Sequence, residues 1–297
     1  MSRIVALLAV LAAVCACAAS SGRADDTRDL SAYTGLATWV DLYDPHVLAR
    51  PESSVAAMAK RGVRTLFLET SNYQMRQDVV RPDRVGRFVE AAHANGLQIV
   101  AWYLPSLTNL ALEKRRALAA INFVSLGGES FDSFALDIES SVVRSPSVRN
   151  ARLLLLSRRI RAVAPELPLG AIVPSPRGLQ LLPKYWPAFP SAQLARTFDV
   201  FLPMGYFTYR EHLPAGSASY TSRNLALLRQ WTGNPDVPIH AIGGLAQAAT
   251  PAQVRAFVRA AGAGGAIGAS LYDFSTTTAR QWRELRAANG VVPVATG

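Results

Sequence analysis

Cysteine is missing from almost the whole chain: Cys15 and Cys17 are the only two. Everything after them therefore has neither a disulfide framework nor a thiol nucleophile. Lysine is nearly missing too. Lys60, Lys114 and Lys184 are the only ones, so arginine carries the formal net charge of +10. The arginines are scattered over helical stretches, as at Arg152, Arg158, Arg159 and Arg161, and are not interleaved with aromatics. That distribution reads as solvated helix faces and argues against nucleic acid as a partner. The four histidines, His46, His93, His212 and His240, show no His-x-x-x-His or comparable metal spacing. His93 is expected on a helix surface and His240 as a satisfied core residue. There is no Gly-x-Ser-x-Gly elbow, and no Gly-x-Gly-x-x-Gly follows the first strand. Both the serine hydrolases and the dinucleotide folds are thereby disfavoured. No cofactor is expected. A Mg²⁺ ion on Asp41, Asp137 and Glu139 stays open as an alternative, though no phosphate loop accompanies it.

What is present begins with an export signal over residues 1–19: Arg3, an apolar run from Ile4 to Val14, then small residues. The run is too short to span a bilayer. Val14-Cys15-Ala16-Cys17 resembles a lipobox with Cys17 as the lipidated residue, and Ala16-Cys17-Ala18 equally fits an ordinary cleavage site. The mature protein is expected outside a bacterial cytoplasm, either secreted or held at the outer face of the membrane through Cys17. A polar leader covers residues 20–34, and a short tail covers 291–297.

Between them, over residues 35–290, strand-like apolar runs alternate with amphipathic helical ones. The runs are Leu36–Tyr43, Arg64–Glu69, Gln98–Leu104, Ser133–Glu139, Leu169–Pro174, Val200–Tyr206, Pro238–Gly243 and Ile267–Phe274. Helices are predicted over Pro51–Arg61, Asp83–Asn95, Leu110–Leu126, Val148–Ala164, Ser219–Trp231, Pro251–Ala261 and Thr277–Ala288, with Gly178–Leu194 only weakly helical. Glycine punctuates the helix-to-strand joints at Gly62, Gly96 and Gly265. Near-continuous apolar strands separated by helices imply a parallel sheet covered on both faces. Eight such units in this length predict the α/β class and one closed (β/α)8 TIM barrel.

Active sites of such barrels gather at the carboxyl ends of the strands. There the sequence places Asp41 on strand one, Glu69 on strand two, Trp102 and Tyr103 on strand three, and Asp137 and Glu139 on strand four. Met204 and Tyr206 end strand six; Tyr272 and Asp273 end strand eight. Asp137 and Glu139 are two apart, so on a strand they share a face with Cα atoms roughly 6.6 Å apart. Like charges buried side by side raise each other's pKa, which keeps one carboxyl protonated at neutral pH for acid catalysis. Carboxylates among flat rings suit a sugar: apolar sugar faces stack, and hydroxyls need hydrogen-bond partners. An internal echo, Phe131 to Glu139 against Phe198 to Tyr206, pairs Asp137 with Met204 and Glu139 with Tyr206. It also puts Asp132 and Asp199 at the strand starts, as structural residues.

At these residues the chain resembles the chitinase-like glycoside hydrolases of family 18. Their fourth strand ends in Asp-x-x-Asp-x-Asp-x-Glu, matched by Asp132, Asp137 and Glu139, with Ala135 in place of the second Asp. Their Met-x-Tyr-Asp is matched by Met204-Gly205-Tyr206, with Phe207 in place of the Asp, and Tyr272 stands where they usually carry a tryptophan. The lysozyme-like barrels of family 25 also carry Asp-x-Glu on strand four and an Asp on strand one, which Asp41 matches. The resemblance implies hydrolysis of an O-glycosidic bond in a polysaccharide or cell-wall glycan. Glu139 would protonate the leaving oxygen. Asp137 would stabilise positive charge directly or through an acetamido group held by Tyr206. Asp41 and Glu69 are the reserves for the second carboxylate of a two-acid mechanism. Asp41, Glu69, Trp102, Tyr103, Met204, Tyr272 and Asp273 would line the substrate site. The alternative is a barrel that binds envelope glycan without cleaving it, Ala135 and Phe207 being marks of lost chemistry.

Overall fold

The computed structural model describes residues 28–290; the expected export signal and Cys17 lie outside them. Eight parallel strands close into a barrel in chain order. They are β1 Gly35–Val40, β2 Thr65–Asn72, β3 Gln98–Leu104, β4 Ser133–Asp137, β5 Leu169–Pro174, β6 Val200–Met204, β7 His240–Leu245 and β8 Gly268–Tyr272. β8 pairs with β1 from Gly268 beside Gly35 to Ser270 beside Ala37, which leaves no sheet edge. Helices α1 Pro45–Leu48, α2 Pro51–Lys60, α3 Pro82–Ala94, α4 Leu110–Ile121 and α5 Pro146–Arg161 cover the first half. The second half has α6 Pro176–Leu181, α7 Ser191–Leu194, α8 Pro214–Thr232, α9 Pro251–Ala263 and α10 Ala279–Leu285.

Strand alternation sorts the apolar residues into two layers. Trp39, Phe67, Val100, Trp102, Ala135 and Leu202 fill the barrel interior. Their neighbours Val40, Leu66, Ala101, Tyr103, Phe134 and Phe201 pack outward against the helices. Gly62 and Gly96 end α2 and α3 in the left-handed region, at φ +84° and +71°, as the joints predict.

The boundaries move in informative places. β4 stops at Asp137 and β6 at Met204, so Glu139 and Tyr206 stand just past their strands, freed from the pleat. The weakly helical stretch resolves into α6, a loop, and α7. That loop is pinned to α5: Trp186 Nε1 donates to Asn150 Oδ1 at 2.6 Å, and Arg149 stacks 4.0 Å over the Trp186 ring.

At the opposite end of the barrel, Asp132 accepts from Ile99 N at 2.7 Å and Asp199 from Leu169 N at 2.7 Å. Each carboxylate thus ties the start of its strand to the preceding strand, the structural role expected of both. Tyr33 plugs this end, its hydroxyl 2.6 Å from Ser133 Oγ. His240 is a satisfied core residue as expected, with Nδ1 2.8 Å from Tyr33 O and Nε2 3.0 Å from Ser270 Oγ. His93 departs from expectation. It is half-buried, bridging Glu129 and Asp132, because the start of β4 brings both acids against α3.

Candidate active site

Alternation sets the centre. With Ala135 inside and Leu136 outside, Asp137 must point into the barrel and Ile138 out again. Asp137 is 7 % exposed, and its Oδ1 has no hydrogen-bond partner among the described residues. Burial, then the Glu139 and Glu69 charges, hold its pKa well above the usual carboxylate range. Burial raises Glu139 as well. Asp137 is the deeper of the two. Glu139 lines a cleft of about 480 Å³ together with Pro174, Ser175, Tyr185, Met204, Tyr206 and Tyr209. Burial, then the Asp137 and Glu139 charges, raises the Tyr206 hydroxyl well above its ordinary value.

A second group sits across the mouth. The Tyr272 hydroxyl donates to Asp41 Oδ2, and its ring lies 6.5 Å from that of Tyr206. Glu69 is only 2 % exposed. Its Oε2 accepts from Leu42 N at 3.0 Å and its Oε1 from Asn72 Nδ2 at 2.9 Å. Burial, with the Asp41 and Glu139 charges adding to it, lifts Glu69 to about 7 against those two hydrogen bonds. Trp102 lies in the interior, edge-on to Trp39 at 6.1 Å, and its Nε1 has no hydrogen-bond partner among the described residues.

Two expected ligand residues have their polar atoms taken up by the protein itself. Tyr103 points outward into the strand–helix layer, where its hydroxyl donates to Glu113. Trp102 takes the inward face, and adjacent strand residues cannot share a face. Asp273 Oδ1 is occupied by the turn after β8, accepting from Ser275 Oγ, Thr276 N and Thr276 Oγ1 at 2.9, 3.0 and 2.9 Å. It borders a second hollow of about 660 Å³ with Asp41, Tyr43, Asp44 and His46. Phe207, which stands where the family pattern has an Asp, is buried against Phe257 and does not enter the mouth.

Sequence reasoning missed Asn72, Tyr185 and the trio Ser175, Tyr220 and Asn224. The Tyr185 hydroxyl donates to the Glu139 carbonyl at 2.9 Å. Ser175 Oγ lies 2.9 Å from the Tyr220 hydroxyl and donates to Asn224 Oδ1 at 2.7 Å. The prolines around Lys184-Tyr185-Trp186 were the available signal for Tyr185, since they mark a loop carrying aromatics at the carboxyl end of a strand. No group of three or more His, Cys, Asp or Glu among the described residues is arranged to hold a metal. The acids are buried closely enough to raise one another's pKa, an arrangement suited to moving a proton.

No family model matches the sequence, and no curated protein matches it. Solved structures do. An endo-β-1,4-mannanase from Thermotoga petrophila superposes over 90 % of this chain and 78 % of its own, at TM-score 0.66 and 10 % identity. A chitinase from Chromobacterium violaceum covers 86 % and 98 %, at TM-score 0.58 and 12 % identity. A GH18 chitinase from Cycas revoluta in complex with (GlcNAc)4 covers 86 % and 99 %, at TM-score 0.63 and 9 % identity. The chain has the TIM-barrel fold of these glycoside hydrolases; at such identities the likeness is one of fold.

Proposed function

We propose that the protein hydrolyses O-glycosidic bonds in a polysaccharide or cell-wall glycan by carboxylate acid catalysis. The observation that carries this is Asp137 Oδ1, buried and without a partner two residues before an acid on the cleft wall. An unmet buried acceptor costs about 1–3 kcal/mol, and a bound ligand is what would meet it. In this reading Glu139 gives its proton to the leaving oxygen, while Asp137 Oδ1 accepts a hydrogen bond from a substrate acetamido group held by Tyr206, which meets the positive charge that develops on the sugar side. Glu69 and Asp41 are the carboxylates available to activate water. Both accept hydrogen bonds on each oxygen, and Glu69 is the one poised near neutrality. Tyr272 and Met204 border the sugar, and Trp102 forms the floor. The fold shared with chitinases and mannanases supports a carbohydrate substrate.

Placement outside the cytoplasm belongs to the same proposal and rests on the sequence of residues 1–19. Labelling with a lipid precursor separates its two forms: label lost in Cys17→Ser means an anchored protein, and none in the parent means secretion.

The decisive experiment screens the protein on chitin, β-mannan, peptidoglycan and glucans, then repeats the positive assay with Glu139→Gln. That change keeps size and hydrogen-bonding capacity but removes the transferable proton. The rate should fall by about 10²–10⁴ with folding unchanged. Parental kcat in the variant would exclude Glu139 as the acid and pass the role to Glu69.

A further inference from the structure

The three exposed rings among the described phenylalanines, tyrosines and tryptophans are Tyr43, Tyr185 and Tyr209, at 62, 46 and 67 %. All three lie on the face where the strands end, in the segments after β1, β5 and β6; none lies on an outer helix or at the plugged end. Two are held by their hydroxyls and the third packs on a neighbouring ring. The Tyr43 hydroxyl accepts from Asn72 Nδ2 at 3.0 Å and donates to Gln74 Oε1 at 3.3 Å. Tyr185 is tied to the Glu139 carbonyl at 2.9 Å, and the Tyr209 ring stands edge-on to Tyr206 at 5.9 Å. A ring held by its hydroxyl with its face in water has already lost its rotamer freedom and keeps an apolar surface uncovered. Such a surface is what the apolar face of a pyranose covers.

Tyr185 and Tyr209 line the cleft that holds Glu139, whereas Tyr43 lines the second hollow with Asp41. In the closed order β1 stands half a barrel from β5, so these platforms face each other across the mouth. Tyr206, Tyr272 and Asp41 form a continuous line between them, with ring centres 6.5 Å apart and the Tyr272 hydroxyl on Asp41. We propose that the two hollows are arms of one groove crossing the barrel mouth, which takes a polysaccharide strand with Tyr185 and Tyr209 under one side and Tyr43 under the other. The acids lie between the arms, so cleavage falls within the strand and not at its end. The inference of interior cleavage rests on the hydrolase reading; the two-sided groove does not.

Retention on insoluble chitin, mannan and peptidoglycan, measured in a Glu139→Gln background, tests the groove. Tyr43→Ala, Tyr185→Ala and Tyr209→Ala should each weaken retention about three- to tenfold, the value of one stacked ring. Tyr43→Phe, which keeps the ring, should hold most of it. On a polymer that the parent cleaves, viscosity should collapse long before reducing ends accumulate. Loss confined to Tyr185 and Tyr209, or steady release of small sugars with viscosity maintained, would overturn the groove and leave a hydrolase acting at chain ends. Two-sided loss of retention with no hydrolysis by the parent would keep the groove and sink the hydrolase reading. Absence of retention on every glycan would overturn both.

Discussion

Asp137 and Glu139 acquire their chemistry from burial, which favours the neutral acid over the ion. The cost shows in stability. Asp137 has a folded pKa raised above the unfolded value of 3.8, so the folded state binds more protons once pH exceeds that value. Its favourable contribution is whole below 3.8 and is lost as pH rises towards the folded pKa, at about 1.4 kcal/mol per pH unit. Asp137→Asn removes that loss, and no hydrogen bond to Oδ1 is given up. The variant should therefore melt above the parent by a margin that widens from pH 4 to pH 8, and should lose any hydrolysis the parent is found to carry out. A constant margin in thermal melts would refute the burial argument. Glu69, raised to about 7, acts in the same direction. His240 acts in the other: burial lowers it to about 4, so its contribution is lost as pH falls from 6.5 through 4. The parent's own pH profile mixes these opposed terms, and the difference between variant and parent isolates the acid.

Strands β4 and β6 begin with the same device, a carboxylate accepting a main-chain N–H of the preceding strand. Their partners differ. Asp199 is also paired with Arg161 and Arg28, whereas Asp132 faces His93. Removing Asp199 leaves the partly buried Arg161 without its carboxylate and the Leu169 N–H without an acceptor. Asp199→Ala should cost about 3 kcal/mol, near the value for breaking a buried pair. Asp132→Ala should cost about 1–2 kcal/mol, the price of an unmet amide. Urea titrations at neutral pH would check the order, and equal costs would mean that the arginine contributes nothing. At the other end of the barrel the loop after α6 has no periodicity of its own. It is positioned by Trp186 lodged between Arg149 and Asn150 on α5, and so carries Tyr185 to Glu139.

The whole molecule depends on closing the ring. Besides the β1–β8 ladder, Asn289 bridges the join: its Oδ1 accepts from Leu36 N and its Nδ2 donates to Gly62 O, both at 2.8 Å. A residue near the end of the fold thus holds the first strand. Asn289→Ala should lower unfolding stability by about 2 kcal/mol through two unmet main-chain groups. The substitution lies far from the mouth, so activity on any cleaved glycan should stay at the parental level. A large loss of activity without loss of stability would mean that the join is coupled to the site.

The repeating plan was legible in the residues because it is local. A strand covered on both faces must be apolar throughout, a helix must end where glycine lets it, and spacing by two puts Ala135 and Asp137 on one side. Hence the eight units, the strand-start carboxylates and the central acid could be read from the chain alone. The rest depended on neighbours distant in sequence. Trp102 and Tyr103 are both aromatic at a strand end, and only the packing of β3 against α4, with Glu113 to receive a hydroxyl, turned Tyr103 outward. Asp273 was claimed by Ser275 and Thr276, and Phe207 by Phe257. Asn72 and Tyr185 were brought to the acids by a strand longer than its apolar run and by a loop pinned to a helix. Local pattern settles that neighbours on a strand face opposite ways. Only the closed barrel, by joining eight separate loops on one face, settles which side chains meet.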